Sequence, residues 1–285
     1  MTKSNLNPVF SSLAALALAA CAANPSASLT QPAPVAEAMT YADIADLGDR
    51  AEVVIKAQIR KQVQVDADRA VGLKPGFAQL YIEAKTLALI AGNAPVGESL
   101  RYRVDVPLLA NGKVPKLKKK EVILFARLVA GRPGELQLVG THAQLEYNPS
   151  VEARIRPVMA ALLSADSPPV VTGVRDALSV PGNLVGESET QIFLATEDRS
   201  PVSITVLRRP GREPVWGVSW GEIIDQSARP PLANTLEWYR LACALPARLP
   251  GNANLSREVD DRRQAERDYA LVLGSLGPCV RNLAR

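Results

Sequence analysis

The sequence predicts a β-rich α+β chain: a small Greek-key β-barrel with a flanking helix, then an antiparallel meander with two C-terminal helices. Three observations predict it. Apolar and polar residues alternate through much of 53–140, and a helix signal then follows at 148–162. Beyond residue 170 the strand patterns come first and the helical ones last, the order of an α+β unit. Hydrophobic residues make up 47% of the chain but aromatics only 5%, so aliphatic side chains must fill most of the core.

Thr40 precedes the helical stretch Tyr41–Arg50 with Asp43 three residues on, the spacing of a capping box. Val53–Val65 reads as a long strand that alternates in its second half, and Phe77–Ile90 as another. Leu100, Tyr102, Val104 and Val106 alternate with Arg101, Arg103 and Asp105, as a half-buried strand requires. Glu121–Val129 and Glu135–Gly140 are two more strands, joined by an Arg132-Pro133-Gly134 turn. Asn148 and Pro149 suit an N-cap and a first helical residue, and Val151, Ile155, Val158, Met159 and Leu162 follow at helical spacing. Five or so strands with one helix fit a small barrel of the oligonucleotide/oligosaccharide-binding (OB) type, although a β-sandwich would read almost the same. The order is similar to small exported barrels of the netrin-like kind, in which a "vILFar" strand recurs. Here that strand is Val122-Ile123-Leu124-Phe125-Ala126. The resemblance covers roughly residues 40–164 and carries no catalytic motif.

Ser164–Pro169 (SADSPP) separates a first domain, 40–164, from a second, 170–285. In the second, Glu189–Thr196, Val202–Arg208 and Val215–Ile224 read as strands joined by short polar turns, which favours a meander. Helices are expected over Leu232–Ala244 and Ser256–Leu276. No internal repeat, heptad run or second apolar stretch of membrane-spanning length interrupts this order.

The N-terminus speaks about address. Met1–Asn7 is polar with one lysine, Lys3, and Val9–Ala20 is an apolar run rich in Ala and Leu, the pattern of a secretory signal over residues 1–20. At ~1.5 Å per residue the run reaches only ~18 Å, short of a ~30 Å hydrocarbon core. Leu18-Ala19-Ala20-Cys21 resembles the lipobox of bacterial lipoproteins. That resemblance implies cleavage after Ala20, thioether lipidation of Cys21 and acyl chains such as palmitate. Ordinary export, with cleavage near Ala20–Ala23, is the competing reading. Residues 22–34 (AANPSASLTQPAP) carry no charge and little bulk, so 21–39 reads as an anchor and flexible tether. Ala22 is not the aspartate that retains lipoproteins in the inner membrane, so the resemblance implies the periplasmic face of the outer membrane. The body also resembles exported proteins of Gram-negative bacteria, which brings no activity, substrate or site residue.

Once Cys21 is assigned to lipid, Cys243 and Cys279 remain, and in an oxidising compartment they are expected to pair, two buried thiols being the alternative. A bridge closing nearly forty residues would contribute roughly 3–4 kcal/mol on the chain-entropy model. The net charge is +4, and losing residues 1–20 removes Lys3 and no acid to leave +3, too mild to argue for nucleic acid.

Several motifs invite chemistry. Gly217-Val218-Ser219-Trp220-Gly221 matches the nucleophile-elbow pattern, but the single histidine, His142, precedes Ser219, and the alternation continues through the motif as a strand. Gly92–Ser99 imitates a phosphate loop with Glu98 where lysine belongs, and reads as a turn. Glu187 with Glu189, or Asp260 with Asp261, could hold a hard cation but lack a calcium-loop pattern. Lys113, Lys116, Lys118, Lys119 and Lys120 form the densest charge run, either a solvated connection or a contact for anionic headgroups. The sequence therefore predicts no catalytic residue, metal or cofactor. It points to a non-enzymatic envelope protein with a binding or assembly role, whose partners are membrane lipid through Cys21 and another envelope protein. A hydrolase built around Ser219 and a carrier of sugars or peptides are the alternatives.

Overall fold

The computed structural model describes residues 39–66, 68–223 and 228–283; the expected signal segment, Cys21 and the expected tether lie outside them. Helix α1 (Tyr41–Arg50) opens on the expected capping box. The Asp43 N–H donates to Thr40 Oγ1 at 3.1 Å, and the Thr40 N–H donates to the Asp43 carboxylate at 2.8 Å. The Thr40 hydroxyl also donates to the Val280 carbonyl at 2.8 Å, tying this helix start to the far end of the chain. Thr40→Ala should lower unfolding stability by about 1–2 kcal/mol, read as a shift in the urea midpoint.

Strands β1 (Val53–Gln64), β2 (Phe77–Ala91) and β3 (Ser99–Pro107) form an antiparallel meander. β4 (Glu121–Leu128) returns antiparallel to β1, and β5 (Glu135–Leu138) pairs antiparallel with β4 and parallel with β3. The circle β1-β2-β3-β5-β4-β1 is therefore closed: a five-stranded barrel rather than a sandwich. A short strand, β6 (Gln144–Glu146), adds to the start of β4. Ile55, Ile59, Leu80, Ile82, Leu100, Tyr102 and Leu124 fill the interior, as their period of two requires.

β4 is apolar on both faces because both are covered. Val122, Leu124 and Ala126 point into the barrel, whereas Ile123 and Phe125 join a second core. That core takes in Ile44 and Leu47 of α1 and Ile155, Val158 and Met159 of α2 (Pro149–Leu162), whose N-cap is Asn148. The two helices approach closely at Gly48, where a Cβ would lie 2.6 Å from Leu162 Cδ1.

The second sheet is antiparallel in the order β10-β9-β8-β7. Its strands are β7 (Val171–Pro181), β8 (Ser188–Thr196), β9 (Ser203–Arg208) and β10 (Val215–Ser219). β7 was not expected from the sequence, and β10 stops at Ser219 rather than running to 224. Helix α3 (Leu236–Ala242) starts later than its apolar pattern, because Thr235 caps it by accepting from the Trp238 N–H at 3.3 Å. Helix α4 (Val259–Leu276) likewise begins three residues after Ser256. The second core continues through Ile192, Ile204, Val206 and Trp216 to Trp238 and Tyr269, so one apolar cluster joins the outer wall of the barrel to the second sheet and its helices. Trp216 is buried there, and Trp220 packs at the margin. On β10's other face the backbone at Ala228 lies where a Gly217 Cβ would project. Gly217→Ala should thus cost about 1–3 kcal/mol, visible as a lower melting temperature. Among the described residues no helix is long and apolar enough to cross a membrane.

Candidate functional site

The widest concavity of the barrel lies on the outer surface of β2, β3 and β5. Register builds it. Gln79 stands opposite Asp105, Tyr81 opposite Arg103 and Glu83 opposite Arg101 across β2–β3, and Arg101 opposite Glu135 across the parallel β3–β5 pair. Because Leu80, Ile82, Tyr102 and Val104 point inward, their alternating neighbours must point out. The resulting cleft has a volume of about 740 Å³ and is lined by Gln79, Tyr81, Arg101, Arg103, Asp105, Arg132 and Glu135, with Leu138 and Thr141 at its margin.

Its charges are unequally satisfied. Arg132 pairs with Glu135 at 3.3 Å, and Gln79 Nε2 donates to the Asp105 carboxylate at 3.0 Å. The guanidinium groups of Arg101 and Arg103 have no hydrogen-bond or ion-pair partner among the described residues. Gln79 Oε1 is buried and accepts from no donor among the described residues. Buried polar atoms are almost always paired, so this acceptor calls for a donor. Beneath the cleft the Tyr102 hydroxyl donates to Gln144 Oε1 at 2.7 Å, and burial pushes its phenol well above the usual tyrosine range, which keeps it a neutral donor. Two free planar forks suit carboxylate or phosphate, the half-buried Tyr81 lining the cleft suits the flat face of a ring, and Gln79 suits an O–H or N–H.

The structure distributes the other candidates around the molecule. Cys243 and Cys279 form a disulfide, with Cα atoms 5.1 Å apart. Lys116, Lys118, Lys119 and Lys120 lie exposed in the β3–β4 connection, outside the cleft, and Lys120 pairs with Glu146 at 3.0 Å. Ser219 ends β10 at 6% exposure, so the motif around it follows a strand and not a strand-to-helix turn. His142 lies before β6, in a small recess shared with Asp43, Asp46 and Arg50. Gly92–Ser99 connects β2 to β3. Glu187 accepts from the Asn183 and Leu184 N–H groups and so closes the β7–β8 hairpin, Glu189 accepts from Gln191, and Asp260 pairs with Arg263. Among the described residues no group of three or more His, Cys, Asp or Glu is arranged to hold a metal ion.

Sequence reasoning registered Arg101 and Arg103 only as the polar side of a strand. Their signal was the pairing with Tyr81 and Gln79, which depends on the β2–β3 register and is not written in either strand alone. No protein-family model matches the chain, and no curated protein matches it.

Proposed function

We propose that this chain is a lipid-anchored binding protein of the cell envelope, held through Cys21 at the periplasmic face of the outer membrane, and that the barrel cleft seats its ligand. The ligand class is a small anionic chain with hydroxyl or amide donors, an acidic sugar or an acidic peptide segment. One observation carries the reading: among the described residues Arg101 and Arg103 have no side-chain partner beside Tyr81 and the unsatisfied Gln79 acceptor. The strand order supports the place. A closed five-stranded barrel with a meander β1-β2-β3, β1 shared by β4 and β3 parallel to β5, is compatible with an OB-type Greek-key arrangement. Barrels of that kind bind chain-like ligands on the face of their second and third strands, an argument from fold analogy. The lipobox-like Leu18–Cys21 and the uncharged 22–34 support the anchor.

The test is calorimetric titration of the full chain, carrying Cys21→Ser, with oligogalacturonate and with oligoglutamate at low salt. One of the two is expected to bind, and Arg103→Gln to weaken it about ten- to hundredfold, the loss of one charge-assisted contact, with the melting temperature unchanged. Binding of neither probe, or equal binding by the variant, would overturn the reading.

A further inference from the structure

The β3–β4 connection, residues 108–120, closes one end of the barrel. Val114 and Leu117 turn inward against its core. Gln62 grips the backbone twice: its Nε2 donates to the Pro115 carbonyl at 2.9 Å, and its Oε1 accepts from the Leu117 N–H at 2.6 Å. The Lys119 N–H donates to the Ile59 carbonyl at 2.8 Å, and the Ile59 N–H donates to the Lys120 carbonyl at 2.9 Å. Lys119 itself adopts φ 73°, a left-handed conformation that is costly for a side-chain-bearing residue. With Val114 and Leu117 held inward, Lys113, Lys116, Lys118 and Lys119 all stand exposed, as does Arg60 of β1. Lys120 has Glu146, but the other four have no carboxylate at ion-pair distance among the described residues. The fold thus concentrates like charges on a rigid frame without neutralising them. Core contact does not require this, because Val114, Leu117 and Gln62 already supply it.

We propose that this end of the barrel docks on a membrane surface rich in anionic phosphate headgroups, with Lys113, Lys116, Lys118 and Lys119 making the contact. Ammonium groups on flexible stems suit many dispersed point charges better than one compact anion, for which a planar fork is the fitter group. The proposal is independent of what the cleft binds.

Co-sedimentation of the full chain carrying Cys21→Ser tests it, with vesicles of phosphatidylcholine alone and of phosphatidylcholine mixed with phosphatidylglycerol. Any apolar contribution of residues 9–20 is common to both, so the difference isolates charge. The anionic vesicles should bind at least a hundredfold more tightly at low salt, and the advantage should fade as salt is raised. Lys116→Gln/Lys118→Gln/Lys119→Gln should remove most of it, about fivefold for each lysine and about a hundredfold together, while the melting temperature stays unchanged. Equal binding to both vesicles, an unaffected triple variant, or displacement by millimolar inorganic phosphate would overturn the proposal.

Discussion

Asp268→Ala is expected to cost the fold about 3–5 kcal/mol, the loss that follows when one partner of a buried ion pair is removed. Asp268, on the inner face of α4, is completely buried. It accepts from Arg208 Nε at 2.6 Å and from Gln264 Nε2 at 2.9 Å, and the Thr190 hydroxyl donates to it from β8. One carboxylate therefore fastens a helix to two strands. Alanine would strand the Arg208 charge, which is 28% exposed, and would leave the Thr190 hydroxyl only Ser179 Oγ, at 3.0 Å, as a partner. Replacing both ions at once, Asp268→Leu with Arg208→Met, should recover much of the loss, because apolar groups of similar volume need no partner. Urea unfolding of the two single variants and the double variant measures the coupling directly. Additive losses would mean that the two side chains act separately.

Breaking the disulfide should cost a similar amount. The bridge joins the C-cap of α3 to the segment after α4 across 36 residues, and the chain-entropy model gives about 4 kcal/mol for such a loop. The effect should also reach the other end of the chain. Just beyond Cys279, Arg281 Nε donates to Asp46 at 2.7 Å, and the Asn282 and Leu283 N–H groups both donate to Asp43 at 3.0 Å. Residues 279–283 are thus a strap over α1, held at its root by the bridge. In Cys243→Ser/Cys279→Ser, amide exchange should accelerate at Asn282, Leu283 and the first turn of α1, and little at β2 of the barrel. Uniform acceleration across the barrel would instead mean that the bridge supports the whole fold and not the strap.

How much of this was legible depends on how local each signal is. Thr40 and Asp43 gave the start of α1, and Asn148 with Pro149 the start of α2, because a cap is settled within four residues. The strands of the barrel were legible from their apolar patterns, alternating in β2 and β3 and continuous in β4, apart from β6, which is three residues long. β7 escaped notice because register shifts at Val171/Gly173 and Val174/Asp176 break its alternation, with Gly173 at φ 158° inside one of them. Cys243 and Cys279 could be paired by arithmetic once Cys21 was set apart. The cleft could not be read at all. Its arginines, tyrosine and glutamine come from two strands whose register, and whose parallel neighbour β5, are fixed only by closing the barrel. Nothing local in the sequence singles out Asp268, and its burial follows from the face of the second sheet that it meets.

Photo-crosslinking in the intact cell envelope tests the binding cleft most directly. A photoreactive phenylalanine is placed at Tyr81 in the cleft, or at Leu178, which is exposed on the second sheet, and adducts are identified by mass spectrometry. The cleft account predicts an adduct from position 81 that is absent from position 178 and disappears when Arg103→Glu is added. No adduct from position 81, equal adducts from both positions, or one indifferent to Arg103→Glu would contradict it.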